Sequence, residues 1–420
     1  MGILTTLTRM WLLRSFRPFT FQADSGECPP EAMEGVTPGL YVHIPFCRTL
    51  CNFCPYCKVR YSRELCERYL RALHQEIELV AKAQGGASRL RASSLYFGGG
   101  SPALVAEHLG ELITTLQSHF DITDGIGLEL HPDDVTVPIL QSLKDAGITR
   151  VSIGIQSFQE KFQRLLGRKA INTQTMVHAL QCVPFETVSM DFIFALPGQT
   201  TEDLRRDAEQ AFDCGANHVA IYPFIQFTFT ESQTPTMPKA AKRRLLDEVT
   251  DFFAATGCHR DSIWTFARNE SHRYSSMTRD NFLGFGCSAT TLSSHQFRIN
   301  TFSVEEYCRR LAEGRLPTSL RLDFTVRQRM VYWIFWKIYT TRLPLVEFER
   351  FFGVPLMRVF GREIQLAKWL GFVTEADGIL QLTRKGVFYF HHYESYYTLA
   401  YIDKMWGLMR ETPFPKRLTL

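Results

Sequence analysis

Tyr41-Val-His-Ile-Pro-Phe-Cys47-Arg-Thr-Leu-Cys51-Asn-Phe-Cys54 joins a short apolar run to a loop of three cysteines spaced Cys-x3-Cys-x2-Cys. Iron–sulfur clusters are held by cysteine thiolates. Three thiolates this close can hold three irons of a four-iron cluster. The fourth iron then stays open to something that is not protein, as catalytic metals keep an open position. The loop alone also leaves zinc open: His43 or Cys57 can complete such a site, and Cys54-Pro-Tyr-Cys57 is itself a Cys-x2-Cys pair.

Outward from this loop, short apolar runs alternate with longer amphipathic ones from residue 39 to about 225. Segments 39–44, 94–97, 127–131, 150–155, 187–194 and 217–222 read as strands. Segments 63–83, 106–120, one starting near 138, 160–166, 173–183 and 201–214 read as helices. In the first helix Leu65, Tyr69, Leu73, Ile77 and Val80 form one stripe. Thr200-Thr-Glu-Asp203 has the pattern of a capping box. Repeated β–α units imply a parallel sheet with right-handed crossovers. Six of them suit a partial (β/α)6 barrel with its chemistry at the C-terminal ends of the strands. The cysteine loop and Gly98-Gly99-Gly100-Ser101-Pro102 both fall at such ends.

The chain then divides into an N-terminal lead-in (1–38), the barrel (39–225), an extension (226–319) and a C-terminal α+β unit (320–420). The extension holds a linker at 227–238, a helix at 239–256 and a strand at 262–266. It closes with a small-residue loop, Phe282-Leu-Gly-Phe-Gly-Cys287-Ser-Ala-Thr, suited to close backbone approach to a ligand. The C-terminal unit has helices near 326–339, 345–351 and 356–370, then a hairpin turning at Asp377-Gly378. That is the outline of a winged helix, which can bind nucleic acid or act as a lid. Aromatic residues crowd 388–401, which favours burial.

The 420 residues are 45% hydrophobic and 21% charged, enough for a large core and a smaller second unit. A net charge of +4 does not suit a general nucleic-acid binder and tolerates an anionic substrate. The 11 cysteines are odd in number and scattered outside the loop, unlike a disulfide scaffold. Cys66, Cys182, Cys214, Cys258 and Cys308 read as buried, inert thiols in helices or their end turns. A reducing, cytoplasmic compartment is expected. No apolar run reaches the ~18 residues of a membrane span. The first 23 residues carry Arg9, Arg14 and Arg17 and no acid, a transit-peptide-like bias, and Met1-Gly2 opens a formal myristoylation pattern. An ordinary lead-in accounts for both.

Four motifs occur in order: Tyr-x-His-Ile-Pro-Phe-Cys-x3-Cys-x-Phe-Cys, Gly-Gly-Gly-Ser-Pro, Ser-Ile-Gly-Ile-Gln-Ser-Phe and Met-Asp-Phe-Ile-x-Ala-Leu-Pro-Gly-Gln-Thr. Together they resemble the radical S-adenosylmethionine (radical SAM) superfamily, and within it the oxygen-independent coproporphyrinogen III dehydrogenase, or HemN-like, family. The resemblance runs from about 39 to 290, with a weaker echo in the C-terminal unit. It implies a [4Fe-4S] cluster on Cys47, Cys51 and Cys54 and a bound S-adenosylmethionine. It also implies one-electron cleavage of the sulfonium to a 5′-deoxyadenosyl radical and hydrogen abstraction from a substrate.

The resemblance also assigns candidate contacts. Gly99, Gly100 and Ser101 let the backbone approach the methionine moiety, Phe53 packs beside the cluster, and Tyr41 faces the sulfonium. Glu129, a charge in a buried strand pattern, needs partners and would accept hydrogen bonds from S-adenosylmethionine. Gln156 would bind the ribose or the methionine carboxylate, and Arg168 would pair with that carboxylate, although Arg168 reads equally as a solvated cation at a helix end. Asp191 would bind ribose hydroxyls and Ile225 the adenine. The implied substrate is a tetrapyrrole, losing carbon dioxide from propionates, with Arg273, Arg309, Arg310 and Arg321 as possible cations for its carboxylates. The implied electron donor is flavodoxin or ferredoxin. Carbon methylation with a second S-adenosylmethionine, and haem delivery without turnover, are the alternatives. Asn269-Glu-Ser-His-Arg-Tyr274 does not fit the His-Asn-x-x-Tyr-Trp motif of the haem-chaperone branch. Cys57 is left as a spare thiol, a resting-state ligand, a redox participant or a small buried residue.

Overall fold

The computed structural model describes residues 3–15, 18–33, 35–85, 89–268 and 280–420. The Met1-Gly2 pattern, Arg17, and residues 269–277 with Arg273 lie outside them.

Six strands lie side by side in chain order: β1 (Gly39–Ile44), β2 (Leu95–Gly99), β3 (Ile126–Leu130), β4 (Arg150–Gln156), β5 (Thr187–Phe194) and β6 (His218–Pro223). Every neighbouring pair is parallel, and helices supply the returns. This is the α/β partial barrel that the alternation predicts. Helix Arg63–Ala83 buries Tyr69, Leu73, Ile77 and Val80 along its stripe, while Leu65 is half-buried. Helix Thr201–Asp213 starts on a complete Thr200–Asp203 capping box, which satisfies two amide donors that a helix start leaves open.

One expectation is corrected beside β1. The first four residues of the segment read as a loop, Phe282–Phe285, form β7, parallel to β1 on the side away from β2. Leu283 and Phe285 are buried, and β1 would otherwise leave a row of buried backbone groups unpaired. The sheet continues antiparallel through β8 (Thr290–Leu292), β9 (Gln296–Asn300) and β10 (Thr318–Asp323). The strand Thr20–Ala23 joins β10 on one side and Arg417–Thr419 on the other. Residues from both ends of the described chain thus complete the far edge of one 14-stranded sheet.

The C-terminal unit packs helices Val326–Ile338, Leu345–Phe352 and Leu356–Trp369 with a three-stranded sheet, the winged-helix outline. Its hairpin turns at Asp377 (φ 51°) and Gly378 (φ 71°), both left-handed as a type I′ turn requires. Met330, Trp333, Leu343, Phe348, Leu356 and Phe360 make a core separate from the barrel core. Helix Arg384–Tyr397 follows and passes through a π turn, Thr398–Ile402, into helix Asp403–Glu411. Cys66, Cys214, Cys258 and Cys308 are buried as expected. Cys182 is exposed, because it ends helix Thr173–Cys182 on the outer side. Among the described residues no helix is long and apolar enough to cross a membrane.

Candidate active site

Side chains alternate along a strand, so every second residue of the barrel strands faces inward. Those positions carry Tyr41 and His43 on β1, Tyr96 on β2, Glu129 on β3, Ser152 and Gln156 on β4, Asp191 on β5 and Tyr222 on β6. All of them line one cavity of about 1300 Å³. Cys47, Cys51, Phe53, Cys54, Gly99, Gly100, Ser101, Arg168 and Ile225 line the same cavity. Every residue expected to hold the cluster or S-adenosylmethionine therefore shares one space.

The glycine turn is stitched to the strand that leads into the cysteine loop. Gly100 N donates to Ile44 O and Ser101 N to Phe46 O, both at 2.7 Å. Gly99 has φ +118°, and a Cβ there would fall 2.7–2.9 Å from the His43 ring; one at Gly100 would run into the Phe46 backbone. Only glycine permits that approach. Gly99 N donates to Glu129 Oε2 at 3.0 Å, and Tyr96 Oη donates to Oε1 at 3.1 Å. Burial nevertheless pushes the Glu129 carboxyl up.

Asp191 accepts from Ser152 Oγ at 2.7 Å and Ser189 Oγ at 3.3 Å. Burial, with Glu129 adding to it, pushes Asp191 up to about 7. The β4–β5 ladder slips between Met190 and Phe192, where Gln156 sits with φ +71°. An irregularity of this kind re-aims side chains at a site. Tyr41 Oη lies 3.0 Å from His43 Nδ1, and the Tyr41 ring stacks on Tyr96 at 6.3 Å.

Arg168 is half-buried and donates to Gly154 O at 2.6 Å. Burial pulls it down while the charges of Cys51, Cys54 and Cys47 oppose that, so the guanidinium stands in the field of the three thiols. It is not a free surface cation. Phe53 packs against the Phe162, Leu166, Leu196 and Phe224 cluster. Ser101 uses its hydroxyl on the buried Asp134, which also pairs with Arg48 of the cysteine loop. Sequence reading missed Asp134, Arg48, Tyr96 and Ser152: Arg48 fills a variable position between Cys47 and Cys51, Ser152 opens the Ser-Ile-Gly-Ile-Gln-Ser-Phe run without standing out from it, and Asp134 is one of two adjacent acids just past the end of β3.

Three of the four arginines expected to meet substrate carboxylates are corrected, Arg273 lying outside the described residues. Arg309 pairs with Glu306 and Glu313, Arg310 is buried against backbone carbonyls and Phe414, and Arg321 pairs with Asp24 and Asp323. The cavity is lined instead by Arg9, Arg48, Lys58, Arg168 and Lys169. Intrachain partners take up these three: Arg309 and Arg310 lie on helix Val304–Ala312 and Arg321 on β10, and none of them lines the cavity.

Cys57 does not join the three motif cysteines. Its Sγ faces Cys287 Sγ at 3.9 Å and Phe302 O at 3.2 Å. Hydrogen bonding from Cys287 holds the Cys57 thiol well below its usual range, and burial pushes Cys287 up.

Residues 41–211 match the Radical SAM superfamily, and residues 340–389 match the HemN C-terminal domain. The heme chaperone HemW of Bacillus subtilis is 26% identical over 82% of this chain and 95% of its own. Coproporphyrinogen III oxidase, anaerobic 1, of Cereibacter sphaeroides is 27% identical over 85% of each. Anaerobilin synthase of Escherichia coli O157:H7 is 28% identical over 89% and 87%. The solved coproporphyrinogen III oxidase HemN of Escherichia coli superposes with a TM-score of 0.74 at 21% identity, covering 92% of this chain and 98% of that one.

The barrel and its cysteine loop define a radical SAM protein. The match at residues 340–389 narrows the likeness to the HemN C-terminal domain, and the fold of the whole chain is that of HemN. Its cofactors are a [4Fe-4S] cluster and S-adenosylmethionine. The donor set fits them. Burial and the neighbouring Cys54 and Cys51 push the Cys47 thiol up to about 12. Three crowded thiols of this kind ionise together only when a cation joins them. Among the described residues the sole compact donor set suited to a single ion is His43, Cys57 and Cys287. The zinc alternative, which needed His43 or Cys57 beside the motif cysteines, loses its fourth ligand.

Proposed function

We propose that the chain is a radical oxidoreductase acting on a tetrapyrrole, by hydrogen abstraction from a propionate side chain in an oxidative decarboxylation of the coproporphyrinogen type. The observation that carries this reading is the cavity. One continuous space holds the cysteine loop, the glycine turn, the aromatic rings of Tyr332, Phe335, Trp336, Phe390, Tyr397 and Tyr401, and the cations Arg9, Arg48, Lys58 and Lys169. A macrocycle with an apolar ring and anionic arms needs walls of both kinds. The name of the Cereibacter relative supports the same reaction.

When bound, the cluster and S-adenosylmethionine supply one-electron cleavage of the sulfonium and a hydrogen-abstracting radical. The chain's own residues do the holding. Cys47, Cys51 and Cys54 would hold the cluster through their thiolates. Gly99, Gly100 and Ser101 present backbone to the methionine moiety, with Glu129 accepting from its amino group. Gln156 and Arg168 take its carboxylate, Asp191 the ribose hydroxyls and Ile225 the adenine, while Tyr41 flanks the sulfonium and Phe53 shields the cluster. A small electron carrier such as flavodoxin or ferredoxin would supply the electron.

The Bacillus relative's name favours a second reading, haem binding without turnover. The test is anaerobic incubation of reconstituted protein with S-adenosylmethionine, a strong reductant and coproporphyrinogen III, followed by mass analysis. Loss of carbon dioxide with formation of 5′-deoxyadenosine is expected. Gain of methyl groups, or stable haem retention with no 5′-deoxyadenosine, would overturn decarboxylation.

A further inference from the structure

Cys57 and Cys287 come from segments 230 residues apart, yet their sulfurs meet at 3.9 Å. Neither belongs to the three-cysteine motif. Both are pinned to one hub. Cys57 O accepts from His43 Nε2 at 2.9 Å. The Cys287 amide donates to Tyr69 Oη at 3.0 Å, and that hydroxyl donates to His43 O at 2.7 Å. His43 completes a compact donor set with the two sulfurs, but its ring is already committed. A carbonyl can only accept, so Nε2 carries the hydrogen and Nδ1 accepts from Tyr41. Two sulfurs are left facing each other, rather than three ligands facing an ion. Both are buried, but Cys57, 6% exposed, lines the central cavity, whereas Cys287 is 0% exposed and does not.

We propose that Cys57 and Cys287 form a redox-active dithiol that low-molecular-weight disulfides oxidise to an intramolecular disulfide, Cys57 attacking and Cys287 resolving. The Cys57 thiolate attacks one sulfur of the reagent, whose S–S bond breaks; a mixed disulfide forms and one reagent thiolate leaves, taking up the proton that Cys57 released to the solvent in the cavity. The Cys287 sulfur then attacks Cys57 Sγ; the mixed bond breaks, the second reagent thiol leaves, and it takes up the Cys287 proton. Two electrons pass from the dithiol to the reagent, which ends as two thiols. The sulfurs need to close from 3.9 Å to bonding distance, ~2 Å, a side-chain movement that leaves both backbone anchors in place. The product ties the cysteine loop to the turn between β7 and β8 behind it. The low thiol at Cys57 agrees with its part as the attacking group.

The test uses the anaerobically reconstituted full chain with bis(2-hydroxyethyl) disulfide, N-ethylmaleimide quenching, proteolysis without reductant and mass analysis. A linked peptide pair carrying Cys57 and Cys287, and an intact mass lower by two hydrogen atoms, are expected. In Cys287→Ser the reagent's thiol stays on Cys57; in Cys57→Ser, Cys287 stays unmodified. A persistent mixed adduct on wild-type Cys57 with no linked peptide overturns the proposal. So does labelling of exposed Cys28 and Cys182 with Cys57 untouched. The wild-type peptide map decides the question even where a variant fails to fold.

Discussion

The amide of Gly99 donates to Glu129 Oε2 across 3.0 Å, joining the glycine turn at the end of β2 to the carboxylate of the neighbouring strand β3. Gly99→Ala puts a methyl into the His43 ring and a side chain at φ +118°, while His43 is held on both ring nitrogens. The expected cost is about 1–3 kcal/mol, read as a lower urea midpoint, with loss of S-adenosylmethionine binding. Glu129→Gln keeps the shape and removes the charge. It is expected to weaken S-adenosylmethionine binding roughly tenfold or more with the midpoint nearly unchanged, as equilibrium dialysis will check.

Glu76 predicts a pH dependence of stability. It accepts from Gly286 N and Tyr307 Oη, both at 2.6 Å, and from Asn300 Nδ2 at 2.7 Å. Burial still pushes it up to about 7 from its ordinary 4.5. Between those values the folded chain holds a proton that the unfolded chain has released. The stabilisation is therefore complete below the lower value and is lost as pH rises through the upper one, by at most about 1.4 kcal/mol per pH unit. Asp191 and Glu394, also pushed up to about 7, act with the same sign. Urea midpoints of the cofactor-free chain are expected to fall from about pH 5 to 8, and Glu76→Gln to remove one proton's share of that slope.

Asp134 anchors the cysteine loop through Arg48 and the glycine turn through Ser101. Arg48 is 54% exposed while Asp134 is fully buried, so solvent screening keeps the cost of Asp134→Asn to about 1–2 kcal/mol. The larger effect is expected at the metal. Iron bound per chain after reconstitution falls, and a chelator strips it faster. Unchanged iron retention would show that the loop is held without this anchor.

The C-terminal unit has its own core around Trp333. Trp333→Ala is expected to cost about 3–5 kcal/mol within that unit. It should appear as early proteolysis there, with the barrel's far-ultraviolet signal and its iron content retained.

Much of this was legible because the relevant signals are local. The apolar runs that become β1 to β6 are buried on both faces, so they read as strands without knowledge of their neighbours. Glu129 and Asp191 stood out as charges inside such runs. Phe282–Phe285 did not read as a strand, because its four residues include Gly284 and its ladder partner lies more than 200 residues away at Gly39–Val42. Nor could the arginines be sorted: whether a cation meets Asp24, Glu306 or the cavity depends on which surface its segment covers, and spacing along the chain carries none of that.

Residue order by itself settled the barrel, the three-thiol loop and the inward places of Glu129, Gln156 and Asp191, since strand periodicity and turn chemistry act over a few neighbours. Only the tertiary structure decided that Cys57 turns from the motif cysteines to Cys287, that Ser101 spends its hydroxyl on Asp134, and that both chain termini close one sheet. Those outcomes are contacts between distant segments, and what selects them is the burial and hydrogen bonding available once the whole chain has packed.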